Sequence, residues 1–166
     1  MLPNKIDITV LSVTDNELLN TVALRRITLN AYIAQHTIPA CTCPSCGFAT
    51  LTHRGHYELC DVCDWEDDNQ DDATAHEVWG GPNSNLSLTE SRILISKELA
   101  MLAHTLNGVI MSNPVAIFTV LNNHKTRMIN FKAANKTQNN DMGSPYWEAF
   151  KQEQQKVKTD LIIINK

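Results

Sequence analysis

The chain has 166 residues, a net charge of −4 and an ordinary hydrophobic fraction of 43%. This length is enough to bury one core, with a small satellite around the cysteines. Residues 1–19 lack the basic region, long apolar run and cleavage site of a secretory signal, and no later segment is apolar enough to cross a bilayer. We therefore expect a cytoplasmic protein with no membrane partner.

The first predicted elements are a short strand and a long helix. Residues 6–10 alternate apolar with polar side chains, as a partly buried strand does. Thr14 and Glu17 have the spacing of a capping box. The predicted buried face of this helix consists of Leu19, Ala23, Ile27 and Ala31. Pro39 marks an end before the cysteines.

Capping residues and a glycine predict a second helix after the cysteines. Ser87 and Glu90 form another capping box, and Gly108 suits the helix end. The predicted buried face consists of Leu88, Ile95, Leu99, Leu102 and Leu106.

The C-terminal third predicts a small sheet and a last helix. Residues 115–121 and 127–131 read as strands joined by the polar turn 122–126, and residues 132–143 as an exposed loop. Ser144 followed by Pro145 suits the start of a helix through about Val157, after which residues 161–165 could add an edge strand.

These elements predict an α+β fold, with a small zinc ribbon embedded between helices and a short C-terminal β-sheet. The expected segments are an N-terminal strand and helix in residues 1–40, the ribbon with an acidic segment in residues 41–92, and an α/β segment in residues 93–166. All three are expected to form one compact domain.

The cysteine spacing carries the strongest chemical signal. Cys43 and Cys46 form one C-x2-C pair, and Cys60 and Cys63 form a second pair thirteen residues later. Four thiolates in two such pairs are typical of tetrahedral zinc, and each pair forms a turn whose backbone N–H groups point at the sulfurs.

Each turn needs a residue that tolerates positive φ. Gly47 supplies it in the first turn, and Asp64 stands at the same place in the second. The residues between the two pairs read as a hairpin with Arg54 and Gly55 at its tip.

A closed four-cysteine site leaves no coordination position for substrate or water, which predicts a structural Zn²⁺. Iron bound as in rubredoxin is the redox alternative, because the same ligands accept it. A reducing compartment favours metal over disulfides. Cys41 could be an alternate ligand or a reactive thiol, but a spare loop cysteine is the favoured interpretation.

The middle of the chain is acidic. Residues 55–91 contain no Lys or Arg and ten of the chain's eighteen carboxylates. A calcium loop starting at Asp67 fails, because Asp72 falls where glycine is required and Val78 where the bidentate Glu belongs. A solvated surface or a partner-binding patch remains. The candidate contact residues are Glu66, Asp67, Asp68, Asp71 and Asp72.

The charge distribution makes nucleic acid an unlikely partner of the ribbon. Four thiolates and one zinc ion together add two more negative charges, whereas nucleic-acid binding needs a basic face. The basic C-terminal third keeps a nucleic-acid-binding or regulatory zinc ribbon as the alternative function. The aromatic residues Tyr57, Trp65 and Trp79 are expected to pack over the metal module.

Three strings of residues carry a resemblance to a known family. CPSCGFATL, RGHYELCDVCDWEDD and GGPNSNLSLTESR together resemble the bacterial cysteine-rich CPCC family. The chain departs from the family pattern at Ser45, where a cysteine is usual, at Asp64, where an aromatic is common, and at Ser91, which replaces alanine. The resemblance implies a zinc-ribbon fold and no agreed enzymatic activity. Some members look like the immunity partners of bacterial toxins.

Resemblance and charge together predict a non-enzymatic immunity protein. Its partner would be a cognate toxin or another basic protein, held at the acidic surface, because complementary charge speeds association. An enzyme is the least supported class, since no catalytic triad, nucleotide loop or open metal site is visible.

Overall fold

The computed structural model describes residues 9–104, 113–135 and 145–164. Within them the chain forms four α-helices and two short 3-10 turns, at Asp72–Thr74 and Gly81–Asn83. The helices are α1 (Val13–His36), α2 (Leu88–Ala103), α3 (Pro114–Ala134) and α4 (Pro145–Ile163). The described residues contain isolated β-bridges but no strand, so the predicted α+β class is wrong.

The predicted C-terminal sheet is wrong because residues 115–131 belong to one helix. Asn113 caps α3 by accepting a hydrogen bond from the backbone N–H of Ala116 at 3.2 Å, and Pro114 occupies its first turn. The buried side chains recur at helical spacing from one predicted strand into the other, through the supposed turn: Ile117, Leu121, His124 and Met128. The β-branched residues of this segment favour strands only weakly, so they do not prevent it from forming a helix.

The last helix begins as predicted and ends later. α4 starts at Pro145 and runs to Ile163, which overturns the predicted edge strand over residues 161–165. The predicted loop 132–143 is also wrong in its first residues, since α3 continues to Ala134, while residues 136–143 lie outside the described part. Residues 6–8 of the predicted N-terminal strand lie outside it as well.

Helix α1 begins earlier than predicted and is rotated about its axis. Ser12, not Thr14, is the N-cap, and its hydroxyl accepts from the backbone N–H of Asp15 at 3.0 Å. The predicted buried face is wrong, since Ile27 is 67% exposed. The face that is buried consists of Leu18, Thr21, Val22, Arg25 and Leu29. Because this row includes a charged residue, Arg25, a prediction from the spacing of apolar residues did not identify it as the buried face.

Helix α2 follows its predicted start. The capping box is complete, with the backbone N–H of Ser87 donating to Glu90 at 2.8 Å and that of Glu90 donating to the Ser87 hydroxyl at 3.1 Å. The helix ends at Ala103, where His104 forms the C-cap with a φ of 58°, and not at Gly108. Leu102 is partly exposed, and residue 106 lies outside the described residues.

The cysteine-bearing segment is built into the helical core. We call residues 41–87, between α1 and α2, the cysteine module. Its buried cysteines belong to the same apolar cluster as Leu99 of α2, Ile117 of α3 and Leu161 of α4. α1 packs on α2 and α3 packs on α4, and this apolar cluster joins the module to the helices. None of the described helices combines the length and apolarity needed to cross a membrane.

Candidate metal centre

The first cysteine turn, residues 43–48, is closed by two backbone hydrogen bonds. The N–H of Cys43 donates to the carbonyl of Phe48 at 2.7 Å, and the N–H of Gly47 donates to the carbonyl of Cys43 at 2.9 Å. An antiparallel bridge between Cys41 and Leu51 extends the turn. These backbone hydrogen bonds fix the positions of both cysteines within the turn.

The second cysteine turn, residues 60–65, repeats the same pattern. The N–H of Cys60 donates to the carbonyl of Trp65 at 2.9 Å, and the N–H of Asp64 donates to the carbonyl of Cys60 at 2.9 Å. A bridge between Leu59 and Glu66 extends it. The two C-x2-C pairs thus form two copies of one turn.

The predicted positive φ is found in both turns. Gly47 has a φ of 79° and Asp64 a φ of 60°. A Cβ on Gly47 would lie 3.0 Å from the carbonyl oxygen of Val22 and 3.1 Å from Cγ of Arg26, both in α1. Asp64 is exposed. Glycine is required at the first position by the neighbouring helix as well as by φ, whereas the second position has room for a side chain.

The two turns bring together the four cysteines that the sequence predicted as metal ligands. The Sγ atoms of Cys43, Cys46, Cys60 and Cys63 all lie within 4.8 Å of one another. Two of the separations, Cys43 to Cys63 and Cys46 to Cys60, are 3.6 Å. A tetrahedral ion with metal–sulfur bonds of about 2.3 Å needs sulfurs about 3.8 Å apart. The cluster fits such an ion, and a separation of 3.6 Å is too long for a disulfide.

Protonation of the thiols is strongly perturbed. Burial raises the pKa of Cys43 and of Cys46 well above the usual value. Burial also opposes ionisation of Cys60, but hydrogen bonds from the other thiols and from the Thr50 hydroxyl, 3.0 Å away, bring its pKa well below the usual value. Buried thiols of this kind are a suitable set for a cation, which replaces their protons and compensates their charge.

Arg25 of α1 contacts the first cysteine turn, and the sequence did not predict this contact. It is 2% exposed, and its Nε donates to the carbonyl of Cys46 at 2.9 Å. Its guanidinium carbon lies 4.3 Å from the centre of the Phe48 ring. Burial lowers its pKa to about 10, while the nearby thiolates act in the opposite direction, so it remains a cation at neutral pH. The only signal in the sequence was its place in the row of Leu18, Val22 and Leu29.

The predicted hairpin between the two pairs is wrong. The bridges close each cysteine turn on itself, so residues 48–59 do not pair with one another as two strands. Arg54 instead folds over the acidic segment, with its Nε 2.9 Å from Oδ2 of Asp67. The backbone N–H of Gly55 donates to the same oxygen at 2.7 Å. The expected tip is thus an anchor for a buried carboxylate.

Arginines bind three of the five carboxylates predicted to contact a partner. Asp67 is fully buried against Arg54. Asp71 contacts Arg26 at 2.9 Å and Arg54 at 2.6 Å. Burial works against the ionised form of Asp71, but these two arginines hold its pKa well below the usual range.

The other carboxylates of the acidic segment are more accessible. The side chain of Asp72 is 78% exposed, although it contacts Arg92 at 2.6 Å. Glu66 and Asp68 are half-buried, and Asn83 hydrogen-bonds both backbone groups of Glu66 at 2.8 and 3.0 Å. The role of the five as partner contacts stays a prediction, and Asp67 has no exposed surface to offer.

The remaining candidate residues lie apart from the sulfur cluster. In the part of the chain that the structure describes, the four cysteines are the one cluster of at least three potential donor residues. Cys41 is half-buried, with its Sγ 3.6 Å from the carbonyl of Thr52. Trp65 is buried as expected, at 3% exposure, whereas Tyr57 and Trp79 are largely exposed.

Two of the departures from the family pattern contact each other. The hydroxyls of Ser45 and Ser91 are 2.6 Å apart, and both residues are buried. A hydroxyl in the first cysteine turn is therefore satisfied by a hydroxyl on α2, where alanine would leave it without this partner. The two serines are therefore partners of each other in the buried contact between the first turn and α2.

Comparison with known proteins supports the resemblance for part of the chain. No curated protein and no solved structure matches significantly. A family model does match, and its segment begins at the cysteine module and extends beyond α2. Residues 41–113, less than half of the chain, are similar to the family described as Cysteine-rich CPCC.

Proposed function

We propose that the cysteine module binds one structural Zn²⁺, and that this ion joins the two cysteine turns into one unit of the core. The observation that carries the proposal is the set of four Sγ atoms within 4.8 Å of one another. Two turns of the same geometry supply two ligands each, as in structural zinc sites. Zinc is preferred to iron because the described residues show no feature of a redox site beside the thiolates.

The proposed role is structural and not catalytic. Four protein ligands complete a tetrahedral coordination sphere, so no position is left for a substrate or an activated water. Three of the four cysteines are fully buried, so an ion bound by them would lie inside the protein. The expected contribution of the metal is folding free energy, because the ligands come from two turns that only the folded chain brings together.

Metal analysis tests this proposal. Purified protein should contain one zinc per chain, and a chelator should lower the urea midpoint. Replacing Cys60 with serine should remove the metal, while replacing the non-clustered Cys41 with serine should leave the metal content unchanged. A chain that is fully folded without metal, or that carries iron, would overturn the zinc proposal.

We further propose that the protein acts by binding another protein, with toxin neutralisation as the specific form that the family resemblance suggests. The supporting observation is a mixed apolar and acidic surface beside the second cysteine turn. Leu59 is 53% exposed and stands opposite Glu66 in an antiparallel bridge, which puts the two side chains on the same face. Tyr57, which is 61% exposed, is two residues away. Exposed aromatic and aliphatic side chains next to charge are typical of protein interfaces.

Charge pairing in the C-terminal helices favours a protein partner over nucleic acid. Arg127 contacts Asp160 at 3.2 Å and Glu153 at 3.5 Å. Lys158 contacts Glu98 at 2.8 Å. These carboxylates neutralise cations that phosphates would otherwise use. A salt-dependent mobility shift with DNA or RNA would favour the nucleic-acid alternative.

A pull-down with the product of the adjacent gene tests the protein-binding proposal. Leu59→Asp should abolish capture, whereas Leu24→Asp is the matched control, since Leu24 on α1 is also 53% exposed. For a toxin, co-expression should rescue growth with the Leu24 variant but not with the Leu59 variant. Failure to capture the neighbouring protein, or equal loss with both variants, would count against this surface.

A further inference from the structure

A cleft lies between the C-terminal end of α1, residues 49–52 and Asp61 of the cysteine module, and α3, and neither proposal above uses it. Its volume is about 480 Å³. Its walls are largely apolar, with Ile38, Leu51 and Leu121 among the lining residues. The rings of Tyr32 and Phe118 stack at 5.4 Å along it. The space is sufficient for a small organic molecule.

The polar part of the cleft contains a buried histidine, His124, without hydrogen-bond partners. His124 is 1% exposed, and among the described residues neither ring nitrogen has a hydrogen-bond partner. Oδ2 of Asp61 lies 3.9 Å from Nε2, which is too far for a hydrogen bond. Leaving a buried polar group without a hydrogen-bond partner is energetically unfavourable. Such a group in the wall of a cleft points to a ligand that completes its bonding.

Asp61, the carboxylate beside His124, has no close ion pair with an arginine or lysine among the described residues. The side chain of Asp61 is 46% exposed, and its one ion pair among the described residues is the long contact to His124. Three other carboxylates of the module, Asp67, Asp71 and Asp72, are in contrast held by arginines at 2.6–2.9 Å. Lys125 also lines the cleft but is exposed to solvent. Asp61 is thus available to a cation that enters the cleft.

We propose that this cleft binds a small organic cation, an ammonium or guanidinium group on an apolar stem. The N–H groups of the cation donate to the Asp61 carboxylate and to the acceptor nitrogen of His124, and the stem packs against Leu51 and Phe118. Two side chains are too few to hold a metal ion, and an anion would be repelled by Asp61. The proposal depends neither on the identity of the module's metal nor on a protein partner.

The test uses n-butylguanidinium as the probe and the metal-loaded full chain. Titration should shift the His124 imidazole resonances in a nitrogen-detected NMR spectrum and give a saturable calorimetric isotherm. A fragment of this size should bind with a dissociation constant on the order of 1 mM. Pentanoate, of similar size and opposite charge, should cause neither effect.

Two matched variants separate the site from general surface charge. Asp61→Asn should weaken binding at least about tenfold, which corresponds to the loss of a charge-assisted hydrogen bond. Asp64→Asn makes the same change three residues away in the same turn, keeps a residue that tolerates the positive φ, and should leave binding unchanged. His124→Phe keeps a buried ring without nitrogens and should also abolish binding, which provides a second test if the Asp61 variant loses metal.

Three results would overturn the proposal. One is the absence of any His124 shift with the probe at about ten times the expected dissociation constant. Another is equal binding by the wild type and Asp61→Asn. The third is equal weakening by Asp61→Asn and Asp64→Asn, which would mean that the probe responds only to net charge.

Discussion

The two cysteine turns have the same backbone hydrogen bonds and different surroundings. The first is enclosed: Cys43, Ser45 and Cys46 have no exposed surface, and α1 lies against Gly47. The second lies closer to the solvent, with Asp64 exposed and Cys63 only half-buried. The same turn conformation is therefore buried in the core in the first turn and partly exposed in the second.

This difference explains which residues each turn accepts. The first turn is also held by contacts with the helices, since the Cys46 carbonyl accepts from Arg25 of α1 and the Ser45 hydroxyl bonds that of Ser91 on α2. In the second turn the position with positive φ is exposed, so an aspartate fits where the first turn has glycine. We therefore expect a substitution in the first turn to lower the free energy of unfolding more than the equivalent substitution in the second turn.

Removal of a metal ligand should have the largest effect. Cys46→Ser and Cys63→Ser each take one sulfur from the cluster, and each should lower metal content and cost at least about 3 kcal/mol of unfolding free energy, because metal binding is coupled to folding. Cys46→Ser should cost more, since Cys46 is fully buried. Urea unfolding with and without chelator measures both effects. If Cys63→Ser costs as much as Cys46→Ser, the contrast between the turns does not extend to the ligands.

Substitution at the positive-φ positions isolates the contrast without touching a ligand. Gly47→Ala should cost about 2–4 kcal/mol, because a left-handed alanine is strained and its Cβ would meet a backbone oxygen of α1 at 3.0 Å. Asp64→Gly should raise stability by about 0.5–1 kcal/mol, because the strain at a φ of 60° is relieved. Chemical denaturation of the metal-loaded variants measures both. Equal stability of the two variants would contradict the role assigned to α1.

A double-mutant cycle tests how the first turn is attached to α2. Ser45→Ala and Ser91→Ala should each cost about 1–2 kcal/mol, because each leaves one buried hydroxyl without its partner. The double variant should cost less than the sum, with a coupling of about 1 kcal/mol. Additive effects would mean that the two hydroxyls do not depend on each other.

The features that the sequence predicted correctly are those fixed by neighbouring residues. The spacing of the four cysteines, the capping box of Ser87 with Glu90, and the need for positive φ at Gly47 and Asp64 depend on a few residues along the chain. A turn or a cap has the same physical requirements in any protein, which is why a single sequence is sufficient to identify it.

The features that were missed depend on contacts between distant segments. Asp67 was expected at the surface, but Arg54, thirteen residues earlier, neutralises it and allows it to be buried. Arg25 lies in the buried row of α1 because Cys46 and Phe48 receive its guanidinium. The segment 115–131 contains strand-favouring residues but buries a helical row against other helices. Tertiary packing overrides local preference in all three cases.

The smallest expected effect is the loss of stability in acid that depends on Asp71, a carboxylate bound by both α1 and the cysteine module. Asp71 contacts Arg26 of α1 and Arg54 of the cysteine module, and these arginines depress its pKa. A carboxylate with a folded-state pKa below its unfolded value of about 3.9 stabilises the protein above that pH and loses this contribution as the pH falls further. At pH 7, Asp71→Asn should therefore lower the free energy of unfolding by about 1 kcal/mol, because the ion pairs are partly exposed.

The difference in unfolding free energy between wild type and variant should be constant above about pH 5 and shrink as the pH falls below about 4. Protons also compete with the metal for the thiolates in acid, but they do so in both proteins, so the difference between the two urea midpoints isolates Asp71. A difference that stayed constant down to pH 3 would show that the arginines position the Asp71 side chain without stabilising its charge.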